Sequence, residues 1–195
     1  MLLFDKWDIS EAKVEDPGLV KYINLRPIIV PRTFGRKSGD FRKNEMNIIE
    51  RFMNKLQVTG HSNKRHKVSS GKFPGNYQTI MKETMKAFDL IEKKTNTNPI
   101  HVFVKALENA ALFEEITAYQ LGGIIARKAV ITSPQRRVDL ALRLITQGIY
   151  RSTFKSKKTL GQTIASEIMA IADNDPKTLP IRERNRIEKE AEGAR

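Results

Sequence analysis

The sequence predicts a mainly α-helical domain that carries one β-hairpin and follows an extended, basic N-terminal arm. Three observations predict it. From Ile48 onward, apolar residues recur at helical spacing in successive segments. Gly122-Gly123 stands between two short β-prone runs. Residues 1–44 show little period and are broken by Pro17, Pro27 and Pro31.

Within residues 1–44, Gly35-Arg36-Lys37-Ser38-Gly39 is a basic stretch with glycine at both ends, which reads as an extended arm that also carries Arg42 and Lys43. The helical domain is expected over 45–178 and a charged C-terminal helix or tail over 179–195. Ile48, Ile49, Phe52, Met53 and Leu56 place a first helix over 45–57. The run from Gly60 to Gly75, with Lys64, Arg65, His66, Lys67 and Lys72, is too polar for core; it lies at the surface or against a partner. Ile80, Thr84, Phe88 and Ile91 make the stripe of a second helix over 76–94. Asn98-Pro99, a capping side chain followed by proline at the first helical position, opens a third helix through Val102, Phe103, Ala106, Leu107 and Ala110. The hairpin is expected at about 115–132, turning at Gly122-Gly123, where both residues accept positive φ. Ser133-Pro134 repeats the cap-plus-proline start and opens a fourth helix with Val138, Ala141, Leu142, Ile145 and Ile149 inward. Leu160, Ile164, Ile168 and Ile171 define a fifth over 159–173, and the charged segment after it reads as a surface helix.

Charge gives the first functional information. The chain has 35 Lys+Arg against 22 Asp+Glu, a net charge of +13 and a pI near 10.0. Such an excess repels itself and attracts polyanions by releasing their condensed counterions. Two segments carry all of it: Arg32–Lys72 and Arg127–Lys158 are each +8, and the remainder is −3. This concentration favours nucleic acid over a merely solvated charged face. Arg136-Arg137 sit in the first turn of the fourth helix, where free N–H groups and the helix dipole already favour phosphate. Lys155, Lys157 and Lys158 follow that helix, beside Arg151, and Arg127 and Lys128 lie on the second hairpin strand. Tyr119, near the tip, is as well suited to stacking on a base as to packing on the hairpin.

No chemistry for catalysis is visible. The absence of cysteine excludes disulfides, thiolate nucleophiles and Cys-type metal sites. His61 and His66 are not at metal-helix spacing, and His101 stands at the start of a helix, so no metal and no cofactor is expected. Gly71-Lys72 lacks the rest of a phosphate-binding loop, no nucleophile elbow is present, and adjacent Glu114 and Glu115 point to opposite strand faces. No secretory signal or membrane-length apolar run is seen, so a soluble, cytoplasmic protein is expected. Two rivals to an RNA-binding structural protein are a DNA regulator using the fourth helix as a helix-turn-helix reader, and an adaptor on anionic membrane. The hairpin before that helix weighs against the first. The placement of basic residues in loops weighs against the second.

The run Asn98 to Ala111, then Gly122-Gly123, Lys128-Ala129-Val130 and Ser133-Pro134-Gln135-Arg136-Arg137-Val138-Asp139-Leu140-Ala141-Leu142-Arg143, resembles the small-subunit ribosomal protein S-seven family. Lys6-Trp7-Asp8, Asp16-Pro17-Gly18-Leu19, Tyr22-Ile23-Asn24-Leu25 and Ile29-Val30-Pro31 resemble the longer N-terminal part of its archaeal members. Leu112-Phe113, Ala118 and Ile131-Thr132 make the hairpin more apolar than the usual family pattern. The resemblance implies about six helices with a protruding hairpin. It implies binding to the 3′ major domain of small-subunit rRNA, a part in starting assembly of the subunit head, and neighbours among head and platform proteins. It also implies that the hairpin, with Tyr119, Gly122, Gly123, Arg127 and Lys128, lies near exit-site tRNA and the mRNA path. On this reading Arg36, Lys37, Arg42, Lys43, Lys64, Arg65, Lys67, Lys72, Arg136, Arg137, Arg143, Lys155, Lys157 and Lys158 face rRNA, with no membrane partner.

Overall fold

The computed structural model describes residues 2–37, 39, 42–58 and 71–195. Six α-helices and two small antiparallel pairs of strands make up the regular structure of these residues.

Helix α1 (Ile48–Gln57) starts later than the periodicity suggests, because Asn47 caps it by accepting from the Ile49 N–H at 2.9 Å. Residues Lys43–Glu45 form a separate 3-10 turn. Helix α2 (Tyr77–Thr95) is capped by Asn76 and ends at Asn96, whose left-handed φ of +52° suits asparagine. Its Ile80, Thr84, Phe88 and Ile91 are all buried, as the spacing predicts. Helix α3 (Pro99–Ala110) buries Ile100, Val102, Phe103, Val104, Ala106, Leu107 and Ala110. A helix apolar on most sides sits inside a bundle, and α3 packs against α2, α4, α5 and α6.

Strands β3 (Glu114–Leu121) and β4 (Ile124–Ile131) form the expected hairpin, pairing Glu114 with Ile131 and Leu121 with Ile124. The two-residue turn is Gly122-Gly123, and Gly122 takes φ +59°, where a Cβ would be strained. Helix α4 (Pro134–Thr153) buries the predicted face. Its start differs from expectation in one detail: Pro134 occupies the first turn, but Ser133 makes no side-chain cap bond. Helix α5 (Leu160–Ala172) begins with a capping box between Thr159 and Gln162 and packs on α2, α3 and α4. Helix α6 (Leu179–Glu192) is more than a surface helix. It buries Pro180, Ile181 and Ala191, packs on α4 and β3, and its Glu188 accepts from the Phe113 N–H at 3.0 Å.

The N-terminal segment departs most from expectation. Within the extended arm expected over 1–44, residues up to Ile23 join the main core, with Leu3, Phe4, Trp7, Ile9, Ala12, Leu19 and Ile23 buried. Strands β1 (Leu2–Leu3) and β2 (Trp7–Asp8) pair briefly. Trp7 packs edge-on to Phe88 at 5.6 Å and donates to Glu92 at 2.9 Å, while Asn98 donates to the Asp8 carbonyl at 2.7 Å. Irregular backbone carries no period, so its apolar residues look like scattered loop residues in sequence. From Arg26 to Lys37 most residues are exposed.

Candidate nucleic-acid interface

The arginines of α4 separate into two roles. Arg137 is turned inward and only 7% exposed. Its Nη2 donates to Asp16 Oδ2 at 2.7 Å, its Nε donates to the Leu112 carbonyl at 2.9 Å, and its guanidinium lies 4.2 Å from the Phe113 ring centroid. Through these contacts Arg137 clamps the N-terminal segment and the hairpin base to α4. Where the sequence suggests that Arg137 faces phosphate, the structure turns its side chain inward. Arg136 is exposed but forms a bidentate pair with Glu115, at 2.5 and 2.8 Å, whose hydrogen bonds push its pKa up. An incoming phosphate would have to compete with that carboxylate.

Further along the same side of α4 stand Arg143 and Arg151, both exposed and without an acidic partner among the described residues. With Arg136 they are spaced by 7 and 8 residues, which keeps them on one helical face. They line a groove of about 450 Å³ between α4 and α6, together with Gln147, Glu183 and Arg186. Arg186 is held by Glu183 at 2.9 Å and Glu190 at 2.5 Å, so it brings little free charge. Arg151, which is not among the residues expected to face rRNA, joins Arg136 and Arg143 on this face, and its spacing from them is the sequence signal for it.

The loop after α4 carries the second cluster. Lys155, Lys157 and Lys158 are exposed, and Lys155 takes φ +53° with its ammonium 5.4 Å from the Phe154 ring centroid. Lys72, expected to face rRNA, also has a place within the fold. Its ammonium donates to the carbonyls of Ser156 and Lys158, so it fastens this loop to the chain preceding α2. Phe73 packs on Tyr150 at 5.0 Å and reinforces the junction. Lys72, Lys157, Lys158, Glu83 and Thr159 border a recess of about 500 Å³ beside the α5 N-terminus.

Of the arm candidates, Arg36 and Arg42 are exposed, Lys37 pairs with Glu45 at 3.2 Å, and Lys43 is half-buried. Lys64, Arg65 and Lys67, like His61 and His66, lie outside the described residues. On the hairpin, Tyr119 is 44% exposed, so it does not pack into the fold. The register opposes Tyr119 to Ala126 and Thr117 to Lys128, placing Tyr119 and Lys128 on one face and Arg127 on the other. Glu114 and Glu115 diverge as expected, toward Arg195 and Arg136. Among the described residues no cluster fit to hold a metal is found, and no helix is long and apolar enough to cross a membrane. A hairpin, not a helix, precedes α4, which is not the arrangement of a helix-turn-helix reader.

The sequence profile of ribosomal protein S7p/S5e matches residues 19–195. The chain belongs to the ribosomal protein S7p/S5e family. Similar S7p/S5e proteins include small ribosomal subunit protein uS7 of Nanoarchaeum equitans, 42% identical over 100% of this chain and 99% of the relative. The uS7 proteins of Thermoplasma volcanium and Methanothermobacter thermautotrophicus are each 41% identical, covering 100% and 99% of this chain and 100% and 98% of their own lengths. The S7p/S5e assignment agrees with the resemblance carried by the Ser133–Arg143 run, and the archaeal relatives match the N-terminal segment as well. These relatives are named as ribosomal proteins and not as enzymes.

Proposed function

We propose that this protein is a structural constituent of the small ribosomal subunit that binds the 3′ major domain of small-subunit rRNA in the cytoplasm, without catalysis. The observation that carries the reading is end-to-end similarity to uS7 proteins in a chain whose exposed cations, Arg143, Arg151, Lys155, Lys157 and Lys158, follow one another along α4 and the loop after it. Phosphate contacts fix register and orientation on a folded RNA, and a rigid helix with a clamped loop supplies them in a preset arrangement. Arg36, Arg42 and the basic residues of the 60–75 segment extend the same contact. The protein helps nucleate assembly of the subunit head, its neighbours are head and platform proteins, and the hairpin with Tyr119, Arg127 and Lys128 reaches exit-site tRNA and the mRNA path.

The test is the salt dependence of binding to a small-subunit rRNA transcript. Replacing Arg143 and Arg151 with Ala lowers the slope of log affinity against log salt by ~0.7–0.9 for each lost phosphate contact. An unchanged slope in the double variant rejects α4 as an RNA face.

A further inference from the structure

Arg32 and Phe34 form a cation–aromatic pair at the surface that the packing of the fold does not need. The Arg32 guanidinium lies 4.3 Å from the Phe34 ring centroid and 4.9 Å from that of Tyr77. Phe34 is 72% exposed. Its backbone adopts φ +53°, a region that side-chain-bearing residues rarely enter. The turn thus holds a large apolar ring in water at both a conformational and a solvation cost.

The residues around the pair are fixed. The Tyr77 hydroxyl donates to the Pro31 carbonyl. Thr33 donates through its N–H and its hydroxyl to Glu50 Oε1, at 2.7 and 2.8 Å, and Glu50 is only 2% exposed. Arg32 and Phe34 are therefore held on either side of a buried anchor. They line, with Val30, Tyr77, Gln78 and Met81, a shallow recess of about 360 Å³. Arg36, exposed, follows two residues later, and Lys37, held by Glu45 at 3.2 Å, comes next. An aromatic face backed by a guanidinium, beside an exposed cation that can neutralise phosphate, is the chemistry that binds an unstacked nucleobase.

We infer that Phe34, backed by Arg32, is a stacking platform for a single unpaired base of the bound RNA. The inference rests on the RNA-binding reading above and adds to it a contact with a base face, where the other contacts are with phosphate.

The test uses the full chain and a small-subunit rRNA transcript, with Phe34→Ala, Phe34→Leu and Phe34→Tyr. All three leave the melting temperature near that of the wild type, since the ring is exposed. Ala and Leu weaken binding roughly fivefold or more, Tyr retains it, and the salt slope is the same in all, because no phosphate contact is lost. In Phe34→Trp, the transcript quenches the added fluorescence and a perfect RNA duplex does not. Wild-type affinity in Phe34→Leu overturns the platform, since it makes the contact merely apolar and open to a protein neighbour. Wild-type affinity in Phe34→Ala, with the Arg143/Arg151 effect intact, also overturns it and leaves the phosphate reading standing. Absence of salt-dependent binding by the wild type removes both.

Discussion

Successive residues on an α-helix are turned by about 100°, so Arg136 and Arg137 cannot face the same way. Arg136 meets Glu115 in the open, and Arg137 meets Asp16, the Leu112 carbonyl and Phe113 inside. Removing a buried partner strands the other charge. Arg137→Ala should therefore cost roughly 3 kcal/mol, the low end for buried pairs, because Asp16 keeps part of its surface in water. Arg136→Ala should change stability by less than about 1 kcal/mol, as exposed pairs do. Denaturant titrations of both variants measure the contrast. In sequence the stripe of Val138, Ala141, Leu142, Ile145 and Ile149 puts Arg136 on the far side of α4 and Arg137 at the edge of the buried face, but no local pattern shows that Asp16 and Phe113 cover Arg137. Glu114 supplies a pH-dependent contact. The Arg195 hydrogen bond holds its carboxyl below the usual range. Its contribution is present above the ordinary carboxylate range and disappears as the pH falls through that lowered value. An NMR titration should show Glu114 protonating at lower pH in the wild type than in Arg195→Ala.

At the scale of elements, stripes and caps made most of the fold legible. Ile80, Thr84, Phe88 and Ile91 mark α2, and Gly122-Gly123 marks the hairpin turn. Two readings fell short. Asn98-Pro99 and Ser133-Pro134 look alike in sequence, yet only Asn98 caps, accepting from the Ile100 N–H at 3.0 Å while also donating to the Asp8 carbonyl and to Glu11. Asn98→Ala should cost about 1–2 kcal/mol, and Ser133→Ala no more than about 0.5 kcal/mol, in thermal or chemical unfolding. Similarly, Lys72 reads as a loop cation but acts as a brace, because the carbonyls of Ser156 and Lys158 come to it from 84 and 86 residues away.

Across the whole molecule, the N-terminal segment shows where periodicity stops informing. Trp7, Leu19 and Ile23 are core residues in backbone that is mostly irregular, and their burial depends on partners such as Phe88 and Glu92 that no local pattern announces. Charge, in contrast, was legible at this scale. The two +8 segments favour a polyanion whatever elements carry them. What the sum of charges conceals is its division of labour. Arg137, Arg51 and Lys72 are occupied within the fold, with Arg51 bonded to Asp139 at 3.0 Å and to the Tyr22 carbonyl, so the working surface is smaller than the composition suggests. Among the cations that remain exposed without acidic partners in the described residues are Arg143, Arg151, Lys157 and Lys158, the ones that the proposed function assigns to RNA.

Crosslinking of protein to RNA in intact cells, with both partners mapped, tests this division most directly. The account predicts crosslinks to small-subunit rRNA from the α4 face around Arg143 and Arg151 and from the Lys155–Lys158 loop, and none from Arg137. Crosslinks centred on Arg137, or on RNA outside the small subunit, would contradict it.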